Sequence, residues 1–107
     1  MNADELALRP AVRGAARLDE AARSEALAAL PGWQLSNHAL EKTFRFNVYG
    51  ETIGFVNAVA WIAQRLDHHP DLEVGYNRCR VVWTTHDAGG VTMNDCIAAA
   101  RTEQLFR

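Results

Sequence analysis

Asp67-His68-His69-Pro70 carries more potential chemistry than any other stretch of the chain. Its two adjacent histidines stand where a helical pattern stops and an extended one starts. A third, His86, closes the next strand pattern. Imidazole titrates near pH 6.5, so three rings brought together could give and take protons near neutrality. Plainer readings stay open. A cationic His68 at a helix C-terminus gains from the macrodipole. His86 also reads as a solvated strand end, and His38 as a solvated turn residue. Asp95, in Thr92-Met93-Asn94-Asp95, reads first as the carboxylate of a capping box, with Asp in place of Glu.

Zinc could take His68, His69 and His86 with a carboxylate. Adjacent histidines rarely point at one ion, and no His-x-x-x-His or Cys-x-x-Cys accompanies them, so no metal is expected. Cys79 and Cys96 fall at core positions of a strand and a helix pattern, where free cysteine behaves as a small hydrophobe. No serine is placed beside a histidine, so nucleophilic catalysis has no candidate. Arg78 and Arg80 on an open sheet face could meet phosphate. Two arginines in a chain of net charge −2 argue weakly for that, and nucleic acid is not expected as a partner.

The elements that must position these groups follow from periodicity. The 107 residues allow one domain. Residues 1–16 show little apolar periodicity and read as a mobile tail before a domain over 17–107. A helix capped by Asp19 runs to Pro31-Gly32. Trp33 to Ser36 reads as a short strand, Asn37-His38 as a turn, and Leu40 to Phe46 as a half-buried strand. A long helix covers 49–66. Its apolar residues form two rows, Ile53, Val56, Ala60, Ala63 and Phe55, Val59, Ile62, Leu66. A helix apolar on two sides needs cover twice, once from the sheet and once from another subunit. Pro70 is read as its stop. Asp71 to Val74 and Arg78 to His86 are strands around a turn at 75–77, and Cys79, Val81 and Trp83 face the core. A last helix follows Thr92. The order α-β-β-α-β-β-α predicts an α+β fold, a four-stranded antiparallel sheet with three helices on one face. No run is long enough to span a bilayer and no apolar leader is present, so the expected location is cytoplasmic, with no membrane partner.

At this point the residues resemble the pterin-4a-carbinolamine dehydratases. The family's spaced pattern is met by Gln64, His68-His69-Pro70, Tyr76, His86 and Asp95. Gly32-Trp33 and Phe44-Arg45-Phe46 match upstream, and Leu66-Asp67-His68-His69-Pro70 and Thr84-Thr85-His86-Asp87 look like its pterin-contacting segments. The likeness covers about residues 18–104. Gln64 departs from the pattern, because the family usually has Glu or another ionisable group there.

The resemblance implies dehydration of 4a-hydroxytetrahydropterin to quinonoid dihydropterin, in tetrahydrobiopterin recycling, without cofactor or metal. His68 and His86 are then the proton-transfer groups and His69 a binding and orienting one. Asp67, Thr84, Thr85 and Asp87 hold the pterin's polar edge, Trp33 walls the cleft, and Gln64, Pro70 and Asp95 support. It also implies a homodimer or homotetramer and a functional link to an aromatic amino acid hydroxylase. The alternative it carries is a non-catalytic binding protein, a transcriptional coactivator or an assembly chaperone. Such chaperones tend to lose the histidine set that this chain keeps.

Overall fold

The computed structural model describes residues 1–106. Arg107, the last residue of the expected domain, lies outside the described residues. In chain order the elements are α1 (Ala3–Ala7), α2 (Glu20–Ala28), β1 (Gln34–Ser36), β2 (Ala39–Arg45), α3 (Tyr49–Leu66), β3 (Asp71–Val74), β4 (Arg78–Trp83) and α4 (Met93–Glu103). A 3-10 turn at His86–Ala88 stands between β4 and α4, and another at Gln104–Phe106 follows. The sheet is antiparallel throughout, with strand order β1-β2-β4-β3.

Asn37 and His38, both at positive φ, join β1 to β2 in a two-residue turn of the kind that matches strand twist. The β3–β4 turn works differently. Neither Gly75 nor Asn77, chosen as turn residues for their tolerance of positive φ, adopts it. At Gly75 a Cβ would stand 3.1 Å from the Arg78 side chain, a tight contact that this flexible side chain would have to relieve.

Cys79, Val81 and Trp83 are fully buried, joined by Leu40 and Phe44 from β2. Against them lie Phe55, Val59, Ala63 and Leu66 of α3 and Cys96 to Ala100 of α4. Burying one such aliphatic or aromatic side chain contributes roughly 1.5–3 kcal/mol. The opposite face of the sheet is polar. There Arg80 bridges Glu41 and Glu73 across three strands, so its guanidinium is already paired, which weakens the phosphate reading.

Two expectations are corrected. Within residues 1–16, read as a mobile tail, α1 packs on α4 with Leu6 wholly buried. Five residues are too short for helical periodicity to register, and α1 is held by packing. Pro70 does not stop α3 either. Asp67 takes the left-handed conformation (φ 51°), its N–H bonds the Gln64 carbonyl, and the N–H of His68 reaches back to that of Ala63. This is a Schellman closure with Asp where Gly is usual, three residues ahead of the proline.

Candidate active site

The register of the β3–β4 pair builds the site. Asp71 lies opposite Val82, so the His68-His69-Pro70 segment entering β3 runs alongside the segment leaving β4. Together they enclose an open cleft of about 270 Å³ lined by Asp67, His68, His69, Thr84, Thr85, His86 and Asp87. All three histidines of the sequence argument are here, with four of the residues expected to hold a substrate's polar edge.

His68 is the most constrained of the three. Its Nε2 lies 2.5 Å from Oδ1 of Asp95, and its ring stacks on Trp83 at 5.7 Å between centroids. Asp95 is wholly buried, and its other oxygen is saturated. Oδ2 accepts from the Thr92 backbone N–H and from the Thr85 hydroxyl, each at 2.8 Å. The Asp95 N–H donates in return to the Thr92 hydroxyl, completing the capping box. The Thr85 and Thr92 hydroxyls meet at 2.9 Å, so with Thr85 donating to Asp95, Thr92 donates to Thr85. An ionised carboxylate accepting from several donors suits burial, because a buried charge is costly unless its lone pairs are met. One oxygen of Asp95 thus serves the cap of α4 while the other meets His68.

With the Nε2 proton on the Asp95 side, neutral His68 keeps its lone pair on Nδ1. His69 and His86 are exposed. His86 opens the 3-10 turn, which Gly89 ends at φ 75° and a paired Thr85 and Gly90 close. Thr84 donates to the His38 carbonyl at 2.8 Å, fixing the cleft rim to the β1–β2 turn.

Three expected residues stand elsewhere. Trp33 does not wall the cleft. It packs edge-on against Phe44 and donates its indole N–H to Glu103, because the turn before β1 delivers it to the core. Gln64 is exposed on α3 and is not among the cleft residues, and neither is Pro70. Sequence reasoning missed Thr92 and Trp83 as supports of His68. The capping-box pattern pointed at the first, and the core-facing parity of β4 at the second.

A larger groove of about 750 Å³, lined by Arg17, Arg23 and His38 among others, contains none of the three clustered histidines. It is open surface beside α2, and the smaller cleft is where the three histidines meet. Among the described residues no group of His, Cys, Asp or Glu has the arrangement to hold a metal ion.

A family profile described as pterin 4 alpha carbinolamine dehydratase matches residues 16–105. The chain belongs to that family. A Chromobacterium violaceum protein provisionally named pterin-4-alpha-carbinolamine dehydratase is 50% identical over 107 residues, covering 100% of this chain and 98% of that one. A Stenotrophomonas maltophilia protein with the same provisional name is 54% identical over 91 residues, covering 83% of this chain and 78% of that one. The crystal structure of a transcriptional coactivator/pterin dehydratase from Brucella melitensis superposes with a TM-score of 0.80 at 37% identity, covering 83% of this chain and 97% of that one. A pterin dehydratase-like protein identified as a RuBisCO assembly factor in the alpha-carboxysome shares the fold, with a TM-score of 0.57 at 23% identity over 68% of this chain and 84% of that one. No helix of the described residues is long and apolar enough to cross a membrane.

Proposed function

We propose that the protein dehydrates 4a-hydroxytetrahydropterin to quinonoid dihydropterin and water, by proton transfer between histidines and substrate. The observation that carries this reading is the meeting of His68, His69 and His86 in one cleft, with His68 anchored on a buried carboxylate. The reaction breaks the C4a–O bond. The leaving hydroxyl takes a proton and departs as water, while a ring N–H is lost to a base. One proton is given and one taken, so the protein needs an acid and a base at once, each contributing roughly two to four powers of ten.

His68 is the base in this proposal. Its free Nδ1 accepts the ring proton, and the charge it gains faces the Asp95 carboxylate, which keeps the ring and tautomer in place. His86, held only by its backbone turn, is the acid that protonates the hydroxyl. His69 orients the pterin, and Asp67, Thr84, Thr85 and Asp87 meet its polar edge. Tetrahydrobiopterin recycling beside an aromatic amino acid hydroxylase, in the cytoplasm, would give the reaction its setting. Stopped-flow measurement of 4a-hydroxytetrahydropterin dehydration, with and without the protein, tests the reading. A rate no faster than the uncatalysed one would refute it.

A second reading, a binding protein without catalysis, is favoured by the coactivator in the name of the Brucella melitensis relative. The same assay decides between the two.

A further inference from the structure

Trp83 closes β4 with its side chain in the core, one position ahead of Thr84-Thr85-His86, which line the cleft. It is wholly buried, yet its indole N–H meets no acceptor among the described residues. The other two tryptophans are served: Trp33 donates to Glu103, and Trp61 is open to solvent. An unmet donor in the interior is unfavourable, and leucine or phenylalanine would occupy this place without one. Hydrogen bonding therefore does not account for an indole here. What indole has beyond either substitute is the side chain face most attractive to a cation. That face is turned to His68, with ring centroids 5.7 Å apart and an angle of 16° between the planes.

The contact completes the placement of His68. The bond from Nε2 to Asp95 fixes one edge of the imidazole and leaves the ring able to swing about that bond. The stack fixes the plane, and with it the place of Nδ1. The contact also responds to charge. Of the ionisable groups around His68, Asp67, His69, His86 and Asp87 are exposed, where solvent screens them. Asp95 on α4 and Trp83 on β4 are wholly buried. The carboxylate meets the ring at its edge and the indole meets it on its face. A cation within about 6 Å of an indole centroid is held by the ring quadrupole, more strongly where water is excluded. Neutral imidazole has no such gain.

We propose that Trp83 is a positioning residue for the dehydration, holding the plane of His68 and stabilising its protonated form through the indole face. The proposal rests on the dehydratase reading with His68 as the base. Stabilisation that appears only as His68 takes the proton is absent when substrate has merely bound. It therefore belongs to kcat and not to KM.

The test replaces Trp83, in the full chain, by monofluorinated and then tetrafluorinated tryptophan. Fluorine withdraws charge from the ring face with little change of shape. Because the indole N–H has no acceptor, no hydrogen bond changes with it. Across the series kcat should fall stepwise, by roughly tenfold in all, with KM and Tm little changed. Trp83→Leu should lose at least as much of kcat, and Trp83→Phe, which keeps an aromatic face, should recover part of it. Should Trp83→Leu fail to fold, the fluorinated series still decides. A flat or rising series in a protein that dehydrates the pterin overturns the role of Trp83 and leaves the dehydratase reading standing. A wild type no faster than the uncatalysed reaction overturns that reading and the role of Trp83 with it.

Discussion

His68 and Asp95 stand 27 positions apart in the chain and 2.5 Å apart in space, and the carboxylate that holds the imidazole also caps α4. Moving either residue therefore disturbs both a helix terminus and a candidate proton-transfer group. Asp95→Asn keeps the shape but replaces one acceptor oxygen with a donor, either toward His68 or toward Thr92 and Thr85. Stability should fall by about 1–3 kcal/mol. The dehydration rate should fall by roughly two powers of ten or more, with KM changed little. Denaturant melts and steady-state kinetics on one preparation check both, and a variant with wild-type kcat would remove Asp95 from the mechanism.

The three histidines should not matter equally. His68→Ala and His86→Ala each remove one of the two proton-transfer groups, so in either variant kcat falls with KM little changed. His69→Ala should mainly raise KM, since an orienting contact acts on ground and transition states alike. Changing His68 and His86 together should abolish catalysis; the protein should still fold, since neither belongs to the buried core, at the cost of leaving the buried Asp95 Oδ1 without its partner. Wild-type turnover by that double variant would shift the balance to the binding-protein reading.

Gln64→Glu restores the ionisable residue usual in the family. The side chain is exposed on α3, outside the set that lines the cleft, and a solvated charge there is screened. The dehydration rate should be unchanged at physiological ionic strength. A large gain would place position 64 closer to the reacting groups than this geometry does.

Burial, with the Asp95 carboxylate adding to it, pushes the Cys96 thiol up to about 12, and burial also raises that of Cys79. The folded state thus holds the Cys96 proton where the unfolded chain releases it. The stabilisation is fully present below the unfolded thiol's pKa and is lost as pH rises through the folded one, roughly 9 to 12, at up to about 1.4 kcal/mol per pH unit. Cys96→Ala should melt with a shallower decline above pH 9 than the wild type. An identical alkaline slope in the two proteins would count against this account.

Assembly is proposed from the same helix that ends in the site. Trp61 is 63% exposed near the middle of the C-terminal half of α3, on the side away from Phe55 and Val59. A large aromatic left bare on a helix already packed against the sheet fits a subunit contact. Light scattering at micromolar concentration should report a dimer or tetramer, and Trp61→Glu should lower the mass. A wild-type monomer would end the proposal.

Periodicity alone determined much of this protein. Alternation placed Cys79, Val81 and Trp83 inward, because side chains on a strand must point to opposite faces. Helical spacing placed α3 at its observed limits, though Asp67 rather than Pro70 ends it, and the N-cap signal placed the start of α2 at Asp19. The spacing of His68, His69 and His86 singled out the residues that share the cleft. Tertiary structure decided what local patterns do not encode. The β3–β4 hairpin followed from its turn, but the pairing of β2 with β4 across α3 is not written in either strand. Asp95 read as a cap because capping is local, within three residues, whereas its second oxygen finds His68 only once α3 and α4 have packed. Residues 1–16 carried no signal because what holds Leu6 is α4, a surface that does not exist until the rest of the chain has folded.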